Sequence, residues 1–259
     1  MLERIFHKRY FFKDYKRITS LFNNNVFSIS DLENLFVDKY NLILYNPLIN
    51  GDIRYDLLVS GYEEPEWRDI NGYKYAYFNG KVALAYTPRT TDAKITITWW
   101  CIPLSIPSGS PSFSWQKRCG CVLGTSCPGA PSGDFSVGYD ETQKMYVWRD
   151  KTTSWLSGQT NVFDGKWHFG SAILNGTNIH IFTDGNYEGT IENADKAVIC
   201  DKYGYWVTGQ MPYDYKWKFW GASSFIGYLA FLRVYYGILT ESEIKEIYKK
   251  EQKFLKPIL

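Results

Sequence analysis

Residues 172–185 read AILNGTNIHIFTDG, and the reading of this stretch decides the fold. Ala172, Ile173 and Leu174 lead into Asn175-Gly176, a pair suited to a two-residue hairpin because both residues tolerate positive φ. A second apolar run, Ile179 to Thr183, ends in Asp184-Gly185, another hairpin signal. Two such turns in close succession predict an antiparallel meander. Outward from it, residues 94–102 (KITITWWCI) alternate, with Ile95, Ile97, Trp99 and Cys101 on one face. Residues 134–139 set Phe135, Val137 and Tyr139 together, turn through 140–143 and continue as MYVWR. No strand–helix alternation occurs, which points away from a parallel α/β fold.

The rest of the chain fits around this centre. Residues 222–239 (ASSFIGYLAFLRVYYGIL) are apolar but shorter than the ~20 residues of a membrane span. Arg233 interrupts them, and Gly227 with the many rings makes them read as a buried strand. No transmembrane segment is expected. Residues 103–133, rich in Pro, Gly, Ser and Cys, read as one long loop. Thr240-Glu241-Ser242-Glu243 forms a capping box opening a helix over 240–254, whose Ile244, Ile247 and Tyr248 share a face. The expected division is an arm over 1–40 and a β-sandwich with its terminal helix over 41–259.

Composition supports sheet. The 259 residues include 21 Tyr, 16 Phe and 10 Trp, and such rings suit both pleated half-buried surfaces and recognition faces. The net charge of +2 is unevenly spread. In residues 1–22, Arg4, Lys8, Arg9, Lys13, Lys16 and Arg17 face only Glu3 and Asp14. These cations, interleaved with Phe6, Tyr10, Phe11 and Phe12, suit a partner-binding arm, expected to join the protein to neighbouring subunits. A near-neutral total argues against nucleic acid as the partner. Residues 1–10 show no Sec-type signal pattern. The five cysteines are odd in number; Cys119 or Cys121 is close enough in sequence to meet Cys127, and free thiols remain the plain alternative.

Several stretches together resemble the laminin-G-like branch of the concanavalin A-like lectin and glucanase superfamily, over roughly residues 41–250. Leu42-Ile43-Leu44-Tyr45 followed by Asp56 resembles its opening strand, Tyr77-Phe78-Asn79-Gly80 its Phe-Asp-Gly turn, and residues 95–100 its aromatic-ended strand. Phe163-Asp164-Gly165-Lys166-Trp167-His168, running on to Asp184-Gly185, is the fullest match. Residues 225–235 and 239–244 resemble the closing strand and helix. The resemblance implies an all-β, concanavalin A-like jelly roll of two antiparallel sheets, with an N-terminal arm and a short C-terminal helix. It also implies a structural calcium in many relatives, but Ala230 stands where their closing strand carries an acid and Asn46-Pro47 alters the opening strand. Asn50 and Asp52 offer only partial ligands, so no cofactor is expected.

Catalysis by this superfold needs two carboxylates flanking a glycosidic bond. Glu63, Glu64 and Glu66 come nearest, interrupted by Pro65 in what reads as a loop. His7, His168 and His180 join no metalloprotease, nucleophile-elbow or phosphate-loop motif. The chain is expected to bind rather than to react. Its ligand candidates are Tyr203, Tyr205, Trp206, Tyr213, Tyr215, Trp217 and Trp220, whose rings suit stacking on sugars, anchoring a protein surface, or filling the core. The expected function is recognition or adhesion at a cell or particle surface, including that of a virion, toward glycans or neighbouring subunits. A secreted or cell-surface carbohydrate-binding module and a degenerate glycoside hydrolase are the alternatives.

Overall fold

The computed structural model describes residues 41–86, 94–110, 117–126, 135–149, 154–192, 205–211, 219 and 222–257. The unit described is Tyr40–Leu259. Its strands are β1 (Asn41–Asn46), β2 (Leu57–Leu58), β3 (Glu66–Ile70), β4 (Tyr73–Asn79), β5 (Leu84–Tyr86), β6 (Lys94–Pro103), β7 (Cys119–Ser126) and β8 (Phe135–Asp140). They continue as β9 (Lys144–Arg149), β10 (Ser154–Asn161), β11 (His168–Asn175), β12 (Asn178–Thr183), β13 (Asn186–Ile191), β14 (Tyr205–Thr208) and β15 (Ile226–Tyr236). Helix α1 (Glu241–Glu251) and a 3-10 turn, Gln252–Phe254, follow.

Two antiparallel sheets result. The first runs β13-β12-β11-β6-β15-β4-β3, with β1 also pairing β15. The second runs β10-β9-β8-β7-β14-β5-β2. Strand β15 is paired along one edge by β6, while its other edge is shared by β4 and then β1. Between these two partners Phe231 takes a positive φ of 49° and its N–H bonds Pro47 O.

The inner faces pack as the alternation demands. Ile95, Ile97, Trp99 and Cys101 meet Phe135, Val137 and Tyr139 from the opposite sheet in one core. Each fully buried large side chain of this kind contributes about 1.5–3 kcal/mol. Two rings lie over cross-strand glycines. A Cβ on Gly170 would stand 2.2 Å from the Trp99 indole, and one on Gly120 2.0 Å from the Tyr139 ring. Only glycine leaves room for either ring. Tyr139 then reaches across the sandwich, its hydroxyl accepting from Ile226 N at 3.0 Å.

The meander forms with one change of turn. Asp184 and Gly185 both take positive φ, at 52° and 77°. In the first hairpin, however, Asn175 pairs Asn178, so the loop residues are Gly176-Thr177 and only Gly176 has positive φ. Asn175 stays in the ladder because β11 uses it against Lys94 of β6. A larger correction concerns residues 103–133: they contain β7, which pairs with β8 and β14 in the middle of the second sheet. Its cysteines and glycines pack as small residues, so the stretch resembled a loop in composition while behaving as a strand. Glu66 likewise opens β3 rather than lying in a loop.

Helix α1 begins at the expected box: Thr240 accepts from Glu243 N, and the Glu243 carboxylate accepts from Thr240 N. The helix covers the outer face of the first sheet. Tyr248 stacks on Trp100 at 5.4 Å, and Glu251 accepts from Trp100 Nε1 at 2.7 Å and pairs with Arg233. Arg233 and Glu251 are 1% and 3% exposed, so either ion alone would be a buried, uncompensated charge. We expect Glu251→Ala to destabilise the fold by about 3–5 kcal/mol in urea unfolding, with the double replacement of Arg233 and Glu251 by apolar residues costing less.

Candidate functional site

The outward face of the second sheet carries a polar and aromatic shelf. On β9, Val147 turns into the core while Tyr146 and Trp148 turn to the other face of the sheet, where both are buried in a second apolar cluster with Cys119, Cys121 and Met211. On the neighbouring edge strand β10, Trp155 pairs with Trp148 in register. Its indole lies flat on Tyr146, with centroids 4.4 Å apart and planes 9° from parallel. Below them, β7 presents Cys119 and Cys121 and β8 presents Ser136, whose hydroxyl is 2.9 Å from Tyr146 OH.

Asp140 holds this shelf together. Its carboxylate is fully buried, and one oxygen accepts from Thr142 N (2.9 Å) and the Thr142 hydroxyl. The other accepts from Trp155 Nε1 (2.9 Å) and the Ser157 hydroxyl. A buried carboxylate with four donors is paid for by its hydrogen bonds. Lys117 completes the group: Nζ lies 3.6 Å from Asp140, 3.1 Å from Ser157 Oγ and 5.7 Å from the centre of the Trp155 ring. Trp155 and Ser157 are half-buried and the Lys117 side chain is 35% exposed. A ligand at this shelf meets a fixed aromatic edge, an ammonium group and a hydroxyl.

The thiols beneath are inert. Burial pushes the Cys119 pKa up to about 12, with the Tyr146 hydrogen bond opposing it, and raises that of Cys121 well above its ordinary value. Cys101, Cys119 and Cys121 are all free, so neither Cys119 nor Cys121 bridges to Cys127.

A second ring cluster lies on the opposite side of the molecule. Tyr73, Tyr75, Trp167, Tyr228 and Tyr77 touch in series, and the Arg68 guanidinium sits 3.3 Å over the Tyr77 ring. Its centre is occupied by the chain itself: Tyr75 OH accepts from Lys256 N, and Trp167 Nε1 donates to Lys256 O. These rings anchor the C-terminal segment.

His168 starts β11 between two acids. Nδ1 is 2.9 Å from Asp184 and Nε2 2.9 Å from Asp164, so the imidazole ties the 163–167 turn to the 184–185 hairpin. Burial lowers the His168 pKa, but the bonds and charges of Asp184, then Asp164, outweigh it and the net direction is upward. For Asp164, burial raises the pKa while His168 and the Lys166 amide lower it, and the net direction is downward. The other acids near the sequence candidates are also committed: Glu63 accepts from Asn79 Nδ2, Glu64 from Tyr55 OH, Glu66 from Arg68, and Asp52 pairs with Arg54. Asn50 Oδ1 accepts from Lys74 N. Among the described residues no group of three His, Cys, Asp or Glu is placed to hold a metal ion.

Of the residues the sequence nominated, Trp206 is placed in the core, 2% exposed and edge-on to Phe135. This corrects its assignment to a ligand face: β14 turns the ring toward the opposite sheet. Tyr205 has only its backbone described, within β14. Tyr203, Tyr213, Tyr215, Trp217 and Trp220 lie outside the described residues, as do Arg4, Lys8, Arg9, Lys13, Lys16 and Arg17. The shelf was missed because Lys117, Asp140 and Trp155 are scattered along the chain.

A family model described as the concanavalin A-like lectin/glucanases superfamily matches residues 75–245. Among curated proteins none matches the chain by sequence. Among solved structures, domain 4 of AbnA, an extracellular arabinanase of family GH43 from Geobacillus stearothermophilus in complex with arabinotriose, superposes with a TM-score of 0.55. It is 14% identical, over 81% of this chain and 98% of that one. The binding domain of Paraclostridial Mosquitocidal Protein 1 gives 0.57 at 10% identity, over 81% of this chain and 52% of that one. A heptameric SAP-like pentraxin from Limulus polyphemus gives 0.52 at 15% identity, over 66% and 80%. At these identities the likeness is one of fold.

The His168 clamp makes a pH prediction. A raised folded-state pKa stabilises the fold fully below the unfolded value of about 6.5, and that contribution is lost as pH rises through the folded value. Urea midpoints measured from about pH 6 to about pH 9 should therefore decline in the native protein and stay flatter in His168→Gln.

Proposed function

The chain belongs to the concanavalin A-like lectin/glucanases superfamily, and on that premise we propose that it is a non-catalytic carbohydrate-binding protein acting at a cell or particle surface. The observation that carries this reading is the Trp155 indole, stacked on Tyr146 and locked through Nε1 to buried Asp140. A ring held this way loses little freedom when a sugar stacks on it, and the hydroxyl and ammonium beside it supply orienting hydrogen bonds. The arabinanase domain bound to arabinotriose supports carrying that ligand class to this fold. The acids described above are engaged with their own donors, which supports binding without bond cleavage.

Binding to a glycan array tests this. Trp155→Ala should weaken the best interaction at least ~10-fold while the unfolding midpoint shows a folded protein. Trp217→Ala and Trp220→Ala test the aromatic segment over 213–220 as the alternative platform; a loss in either, with Trp155→Ala unaffected, moves the site there. Unchanged binding in all three variants would remove both surfaces as the sugar site.

A second element is assembly, including a role as a virion component. It is supported by the basic and aromatic composition of the arm, where Arg4, Lys8, Arg9, Lys13, Lys16 and Arg17 alternate with rings suited to anchoring on a neighbouring subunit. Deleting residues 2–38 should abolish higher assemblies in sedimentation while the sandwich still unfolds cooperatively. Normal assembly without the arm would end this reading.

A further inference from the structure

We infer that the shelf on the second sheet takes a saccharide bearing an anionic group, carboxylate or sulfate, which Lys117 recognises beside a sugar ring held at Trp155; this rests on the carbohydrate-binding reading above. Three observations lead there. First, the indole has few surfaces left to offer. One face is closed by Tyr146 at 4.4 Å and its N–H is spent on Asp140. A ligand is thus confined to what Tyr146 leaves open of this half-buried ring, over which Lys117 stands 5.7 Å from the ring centre.

Second, the ammonium group is positioned but not used up. It has three donors, of which one meets Ser157 Oγ at 3.1 Å. Asp140 lies 3.6 Å away, with each oxygen already accepting two other hydrogen bonds. Lys117 makes no further hydrogen bond among the described residues, and its side chain is 35% exposed. Third, the balancing charge points inward. Asp140 is fully buried, so it holds the lysine by attraction without presenting a carboxylate to the ligand.

A neutral sugar gains stacking and ordinary hydrogen bonds from the shelf. An anionic substituent next to the stacked ring also gains a charge-assisted hydrogen bond from Lys117. Because the Lys117–Asp140 pair is neutral as a unit, the preference acts at short range. It should be moderate, about fivefold to tenfold, and depend less on salt than binding by a basic patch.

The test compares a short oligogalacturonate, the same oligomer fully methyl-esterified, and a sulfated galactan, by calorimetry on the full chain and on Lys117→Gln, which keeps a donor and removes the charge. The expected result is about fivefold to tenfold tighter binding of an acidic form than of the ester, a preference lost in Lys117→Gln, which should bind acid and ester with equal affinity. Whether the uronate or the sulfated chain gains more identifies the anion. Equal affinity for acid and ester, or discrimination that survives Lys117→Gln, overturns the inference while leaving carbohydrate binding at this shelf intact if Trp155→Ala still weakens it. If none of the three saccharides binds and the array is also silent, both readings fall.

Discussion

The fold depends on a strand buried on both faces. Strand β15 is hydrogen-bonded along both edges, turns Leu229, Leu232 and Val234 into the sandwich, and turns Arg233 outward under helix α1. A charged residue in the centre of a sheet is tolerable only with a partner that is equally sheltered. Glu251 supplies it from the last turn of the helix and takes the Trp100 indole N–H as well. The helix is therefore the second layer of the first sheet, fastened by an ion pair at one end and a capping box at the other.

That closure makes the two outer faces unequal. On the first sheet, Tyr75, Trp167, Trp100 and Phe169 are engaged by the helix and the segment after it. On the second, the rings of Tyr146 and Trp155 rest on small residues of β7 and β8, with Lys117 at the margin. Close approach also comes from glycine: Gly120 lets Tyr139 lie across β7, as Gly170 lets Trp99 lie across β11. The same small residues that disguised β7 as a loop allow a tightly stacked surface above it.

The shelf is electrostatically self-contained. Asp140 draws four donors and one ammonium toward a single buried carboxylate, so the orientation of Trp155 and Ser157 is set before a ligand arrives. Such preorganisation lowers the entropy lost on binding. His168 does comparable work at the end of the other sheet, where it joins Asp164 to Asp184 and keeps a turn and a hairpin in register.

By itself the sequence determined what repeats locally: the alternation of β6 and β8, the Asp184-Gly185 turn, the capping box at Thr240, and hence the antiparallel sandwich and its family. These signals are legible because side-chain period and turn chemistry act within a few residues. Tertiary structure alone decided that β7 is a strand, that Trp206 faces the core, and that Lys117, Asp140 and Trp155 converge on one surface. Such outcomes depend on which strand lies beside which, and residues far apart in the chain become neighbours only once the sheets have closed.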